Sequence, residues 1–200
     1  MKEGINKKAT RREQEHRHVC PWWMGWLLAS PIRRLTHDPK RILAPFLSEG
    51  MSVLEPGPGM GFFTMEIARA VGPRGRVIAL DIQKPMLASL ARRAMRARFA
   101  ERIECRLVQG DTLGIDDLKG TVDFVLAFAM VHEVPDPDRF FRETGTALKR
   151  GGRMLFAEPA GHVDEEGFEA SLKLAAAAGL NEVAKPKIRR SLAAVLERRG

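Results

Sequence analysis

Apolar residues in this chain fall in short dense blocks, and between the blocks they recur at helical spacing. Residues 51–55, 76–82, 103–108, 122–129 and 153–157 are the blocks. They are too short for ordinary helices, and most lack a polar face, which is how buried strands of a parallel sheet read. Residues 62–71, 85–99 and 136–149 instead place apolar side chains three and four apart. In residues 85–99 the stripe is Met86, Leu87, Leu90, Ala91, Ala94 and Met95, set against an outer face of Arg92, Arg93, Arg96 and Arg98. In residues 136–149 it is Phe140, Phe141, Thr144 and Leu148. Asp38-Pro39, Asp136-Pro137 and Asp164 carry helix-start chemistry, a capping carboxylate with proline at the first helical position in two of the three. Gly72-Pro73, Gly151-Gly152 and Gly179 mark stops and turns. Two further apolar stretches, residues 182–187 and 191–197, close the chain with little between them. Strands alternating with helices and ending on such a pair predict an α/β fold: a doubly wound, mostly parallel sheet with an antiparallel C-terminal hairpin.

Length and composition place this pattern in one domain, residues 50–200, since 200 residues suffice for a full core. An apolar content of 44% and a charged content of 29% are globular values. Two cysteines, Cys20 and Cys105, cannot build a disulfide framework and suit a reducing, cytoplasmic setting. Thirty-three Lys and Arg against twenty-five Asp and Glu give +8, which attracts polyanions without selecting one. Ahead of the domain, residues 1–18 read as a mobile basic arm and residues 19–49 as a helical cap. Residues 19–32 hold all three tryptophans, Trp22, Trp23 and Trp26. Pro21 interrupts that stretch, and it falls short of the roughly 20 apolar residues of a membrane span. It reads as a lid over a site, as structural cover, or as a membrane-surface patch.

The stretch that carries chemistry is Val53-Leu54-Glu55-Pro56-Gly57-Pro58-Gly59-Met60-Gly61-Phe62. An apolar strand ends in an acid, a glycine-rich turn follows, and a helix starts; α/β sheets hold nucleotides with this unit. A dinucleotide fingerprint wants its third glycine where Phe62 stands. The acid-x-Gly-x-Gly-x-Gly form resembles motif I of the class I S-adenosylmethionine-dependent methyltransferases, among them the small ubiquinone- and menaquinone-biosynthesis type. Three more segments resemble that family in order: Asp81 closing the second strand, Gly110-Asp111 after the third, and Lys149-Arg150-Gly151-Gly152 before the fifth. The likeness covers roughly residues 50–198 and implies a seven-stranded, Rossmann-like sheet.

The resemblance implies S-adenosylmethionine as cofactor and S-adenosylhomocysteine as product. Glu55, Gly57, Gly59 and Gly61 would hold the methionine part, and Asp81 the ribose hydroxyls. Asp111 would meet the adenine amino group with Thr112 as a further cofactor contact, Ile82 or Leu113 the adenine face, and Phe128 the wall beside the methyl donor. His132, in Phe128-Ala-Met-Val-His132-Glu133, is the candidate base, because its ordinary pKa of about 6.5 suits proton transfer near neutrality; orienting the substrate or packing at the strand end are its other readings. Glu133 and His162 are weaker candidates. No metal-ligand spacing is present, and the cysteine set of arsenic-methylating relatives is missing. A small, partly apolar acceptor is the expected substrate. Nucleic acid is the less favoured partner, an NAD-dependent oxidoreductase or a non-catalytic cofactor-binding module stands behind both, and nothing in the pattern fixes an oligomeric state.

Overall fold

The computed structural model describes residues 37–199. The expected basic arm (residues 1–18) and the tryptophan segment (residues 19–32) lie outside the described residues. Seven strands alternate with helices: β1 (Ser52–Pro56), β2 (Arg76–Asp81), β3 (Ile103–Leu107), β4 (Val122–Phe128), β5 (Leu148–Pro159), β6 (Leu180–Ala184) and β7 (Ser191–Arg198). The helices are α1 (Pro39–Leu43), α2 (Thr64–Ala70), α3 (Lys84–Arg96), α4 (Pro137–Ala147) and α5 (Glu165–Ala177).

The strands form one sheet in the order β3-β2-β1-β4-β5-β7-β6. β1 to β5 run parallel, and β7 is antiparallel to both β5 and β6. The expected hairpin is present, but it is folded in: β7 fills the gap between β5 and β6, and β6 takes the edge. The burial pattern gives the reason. Ala193, Ala194, Val195 and Leu196 are buried on both faces, as an interior strand requires, whereas only Leu180 of β6 is buried.

Helices α1, α2 and α3 cover one face through Leu43, Ile67, Val71 and Leu90. Helices α4 and α5 cover the other through Phe140, Phe141, Phe168 and Leu172. Carboxylate caps start three helices as expected. Asp38 accepts from the Lys40 N–H at 3.0 Å, Asp136 from Arg139 at 2.9 Å and Asp164 from Gly167 at 2.8 Å; such caps contribute about 1 kcal/mol each. Within the expected cap segment, Ile42, Phe46 and Leu47 pack on the core, and Phe46 stacks on Phe124 with ring centroids 5.6 Å apart.

Several expectations need correction. β5 starts at Leu148 rather than residue 153: Leu148 pairs with Val122, and the Gly151-Gly152 turn lies inside the strand as an irregularity in its pairing with β4. Arg93 is not on a purely solvated face. Its guanidinium is partly buried and donates to the carbonyl of Met60 in the glycine loop, bracing that loop from α3. Strand β3 stops at Leu107, so Asp111 sits on an exposed loop beyond the strand rather than at its end.

Candidate active site

At the carboxyl edge of the sheet, where strand order reverses between β1 and β4, the chain leaves a cavity of about 1010 Å³. Parallel α/β sheets place ligands there, because successive loops diverge to opposite faces and open a crevice. The volume lies at the large end of small-molecule sites, roughly 300–1,000 Å³. It has room for a nucleoside-sized molecule and a second small one.

The loop after β1 forms one wall. The Gly57 N–H donates to the Leu80 carbonyl at 2.8 Å, which ties the loop to β2. Gly59 has φ +55, and a Cβ built there would meet no protein atom within 4 Å; the space in front of it belongs to the cavity. Gly61, at φ +85, serves packing instead. A Cβ there would lie 2.5 Å from Leu90 Cδ1, a fully buried side chain, and Gly61 does not line the cavity. Gly61→Ala is therefore expected to destabilise the fold by about 1–3 kcal/mol through overpacking and backbone strain, read as a lowered urea midpoint.

Glu55 lies behind this loop, 3% exposed, and is not part of the cavity lining. Burial pushes its carboxyl up to about 7, with Thr64 pulling the other way. Thr64 faces it without reaching hydrogen-bonding geometry, so Glu55 Oε2 and Thr64 Oγ1 are both buried without a partner. A buried carboxylate oxygen left so is costly unless a ligand or water completes it.

Asp81 closes β2 and is 8% exposed. Burial raises its carboxyl to about 6, against the opposing pull of the Gln83, Gly59 and Ile82 backbone N–H groups, while Glu133 adds repulsion. Its Oδ1 accepts the Gln83 N–H at 2.8 Å, so part of its capacity orders the turn into α3. Next to it Ile82 is 56% exposed, a large apolar side chain held open in the cavity wall. Asp111 and Thr112 line the same side. Their loop is pinned by Glu143, which accepts the Leu113 N–H at 2.7 Å and pairs with Arg139 at 2.8 Å.

The opposite wall comes from the ends of β4 and β5. Phe128 packs tilted on Phe63 (centroids 4.6 Å) and edge-on to His37 (5.3 Å). Ala129 follows at φ +58, a conformation that a residue with a Cβ rarely adopts, and turns the chain into the cavity wall. His132 stands on the short 3₁₀ turn Val131–Glu133. Its Nδ1 lies 2.5 Å from Glu158 Oε2, its Nε2 lies 3.9 Å from Glu133 Oε1, and the His162 ring packs edge-on at 5.4 Å. The bond to Glu158 raises the His132 pKa above its ordinary value; burial opposes this, and Glu133 adds to it.

Eight of the ten expected site residues line the cavity, namely Gly57, Gly59, Asp81, Ile82, Asp111, Thr112, Phe128 and His132; Glu55 and Gly61 stand behind its wall. Sequence reasoning missed Glu158, His37, Met130 and Arg190, which the fold brings to the same cavity or behind it. Only Glu158 left a trace in the sequence, as a carboxylate near the end of an apolar strand. Among the described residues no group of His, Cys, Asp and Glu could hold a metal ion.

A family model described as a methyltransferase domain matches residues 47–192, most of the chain and every residue lining this cavity except His37. The chain belongs to the methyltransferase-domain family. The resemblance carried by the glycine loop and Asp81 makes S-adenosylmethionine the expected cofactor. The fold is similar to a SAM-dependent methyltransferase from Aquifex aeolicus, with a TM-score of 0.80 and 22% identity, covering 90% of this chain and 100% of that one. In sequence the methyltransferase is 33% identical over 121 residues to an arsenite methyltransferase of Halobacterium salinarum, which is 60% of this chain and 30% of that one. It is 30% identical over 127 residues to a demethylmenaquinone methyltransferase of Lactococcus lactis, 62% of this chain and 49% of that one. The chain thus spans half or less of these two relatives. The cavity fits the cofactor on its own terms: open space before Gly59, an unpartnered buried carboxylate oxygen at Glu55, and an exposed apolar face at Ile82 beside Asp81.

Proposed function

We propose that this methyltransferase moves a methyl group from S-adenosylmethionine to a small, partly apolar acceptor. When bound, S-adenosylmethionine supplies a methyl carbon already activated by a sulfonium sulfur, so the protein's work is to position the partners and keep water out. The observation that carries the reading is one cavity with two unlike walls. Gly57, Gly59, Asp81, Ile82, Asp111 and Thr112 offer hydrogen bonds and turns on the cofactor side. Phe128, Met130 and Val134 give the other wall an apolar stretch, broken by His132, Glu133 and His162. In this reading Glu55 acts from behind the loop on the ammonium end, Asp81 holds the ribose hydroxyls, and Ile82 covers an adenine face.

The names of the two sequence relatives point to small acceptors, one inorganic and one a quinone. Among the described residues the single cysteine is Cys105, half-buried in β3 with its thiol pKa pushed up by burial, which does not favour a thiolate-bound acceptor. An apolar wall suits an organic ring better. No helix among the described residues is long and apolar enough to cross a membrane, and the scarcity of cysteine supports a cytoplasmic setting.

The test pairs calorimetry with a charge-removing variant. S-adenosylhomocysteine should bind, and Asp81→Asn should weaken it by about 1.5–3 kcal/mol, the usual worth of hydrogen bonds to a charged group. Asn keeps the cap on Gln83 and removes a desolvated charge, so the variant should melt no lower than wild type at pH 8. Equal affinity in wild type and variant would mean that the ribose lies elsewhere. Gly59→Ala should add a methyl group to the cavity with little effect on folding beyond the cost of its positive φ, and should weaken the same ligand by about 1–3 kcal/mol.

A further inference from the structure

Building on the methyl-transfer reading above, we propose that Glu158 and His132 act as a carboxylate–imidazole pair that removes the proton of a weakly acidic hydroxyl, and that the acceptor is a phenol- or enol-type molecule methylated on that oxygen. Glu158 is 2% exposed, near the end of β5. Its Oε1 accepts the backbone N–H of Val131 at 2.8 Å and of His132 at 3.3 Å, and its Oε2 meets His132 Nδ1 at 2.5 Å. One buried carboxylate therefore fixes both the turn that carries the imidazole and the ring itself. A carboxylate only accepts, so Nδ1 carries the hydrogen, and in the neutral ring the free lone pair sits on Nε2. Nε2 lies across the ring from Glu158, on the side of Glu133, and His132 and Glu133 both line the large cavity.

Three groups face the imidazole: Glu158 at Nδ1, Glu133 near Nε2 and His162 against the ring. Both carboxylates favour the imidazolium, which is the product of proton removal. Behind the pair lies a second, more open cavity of about 480 Å³, bordered by His132, Glu158, His162 and Asp164, a polar route by which the proton can leave. A histidine that merely packs at a strand end does not require a buried acid aligned on its far nitrogen.

In the step, Nε2 takes the hydroxyl proton while the oxygen's electron pair forms the bond to the methyl carbon. The carbon–sulfur bond breaks with its pair on sulfur, giving neutral S-adenosylhomocysteine thioether. One positive charge leaves the sulfonium and one appears on His132, beside Glu158 and Glu133. A phenolic hydroxyl, with a pKa of about 10, lies close enough to a histidine for such a transfer, and the apolar wall suits its ring. Glu158 is a positioning residue; His132 is the catalytic one.

The experiment uses labelled S-adenosylmethionine with 4-nitrophenol, catechol and 2-naphthol, aniline as the nitrogen control, and imidazole NMR titration of His132. The expected result is label on phenolic oxygen. kcat should rise with pH and level off near the pKa that NMR gives His132. Glu158→Gln should lower both that pKa and kcat, the latter by roughly 10- to 100-fold, a part of the 10²–10⁴ that general bases contribute. KM and S-adenosylhomocysteine affinity should stay within about twofold, the loss being confined to proton removal, and Glu158→Asp should recover part of kcat. If Glu158→Gln does not fold, His132→Gln carries the test by losing kcat with folding and cofactor affinity intact. An unmoved pH limb in Glu158→Gln, aniline methylated as well as the phenols, or no phenol methylated by protein that binds S-adenosylhomocysteine would each overturn the proposal. Failure of the wild-type protein to bind S-adenosylhomocysteine would overturn the methyl-transfer reading itself.

Discussion

Between about pH 4 and pH 7 the ligand-free protein is expected to lose several kcal/mol of the stability contributed by two buried acids, an order of magnitude set by about 1.4 kcal/mol per pKa unit. Burial raises Glu55 from 4.5 to about 7 and Asp81 from 3.8 to about 6. Well below pH 4 both carry protons in the folded and the unfolded chain alike. Between the unfolded and the folded values only the folded chain holds them, so rising pH favours unfolding. The effect is complete only well above pH 7, where both are ionised in either state. Other carboxylates work in the opposite direction; Asp117, for instance, is held low by its bond to Arg106. The measurement is therefore a comparison. Urea midpoints of wild type and a Glu55→Gln/Asp81→Asn double variant should converge at pH 4 and separate by pH 7.5 in favour of the variant. Curves that run parallel across the range would show that neither acid is unusual.

Cofactor should act on the same two protons. If the ammonium end sits against Glu55, binding favours its ionised form, and calorimetry at pH 6.5 in buffers of different ionisation enthalpy should show proton release. Glu55→Gln should abolish most of it.

Phe156→Ala is expected to cost about 3–5 kcal/mol, the range for truncating a buried aromatic ring. Phe156 is fully buried on β5, stacked on Phe168 at 4.8 Å and edge-on to Phe141 at 5.5 Å. It joins α4 and α5 to the sheet between Ala127 of β4 and Ala194 of β7. Small neighbours in the sheet leave no long side chain to swing into the void, so the site should collapse poorly. Against a domain stability of about 5–15 kcal/mol, that loss is a large fraction of the whole. The exposed edge change Val183→Ala should stay within about 0.5 kcal/mol. Similar urea midpoints for the two variants would show that the α4–α5 layer contributes little.

The glycine-loop side of the cavity was legible in the sequence because it is local. Glu55, the glycines and Asp81 sit at strand ends, and a parallel sheet brings strand ends together whatever the loops do. Phe62, which stands where a dinucleotide fingerprint would need glycine, lies partly buried against the α1–α3 layer. The opposite wall was legible only in part: Phe128 and His132 stood out, but the pairings that hold them join distant elements. Glu158 reaches His132 across 26 positions, and His37 meets Arg189 across 152. Arg93 looked like one more charge on a solvated helix until α3 was placed against the glycine loop. The position of β7 was hidden for a similar reason: four consecutive buried residues announce an interior strand without naming its neighbours.

The lodging of β7 between β5 and β6 bears on how the chain is made. β7 follows every other strand in sequence, and Arg153 of β5 waits 44 positions for its partner Glu197. At about 5–20 residues per second of synthesis, one flank of β5 stays bare on the ribosome for a few seconds. Met154, Leu155 and Phe156 lie along that flank, each fully covered once folding is complete. A nascent chain at this stage already has the loops after β1 and β2, yet it presents an open apolar strand to any other nascent chain nearby. Late truncations or frameshifts should therefore yield insoluble chains rather than weakened enzymes, and trigger-factor-type chaperones should be most needed in the interval just before β7 emerges.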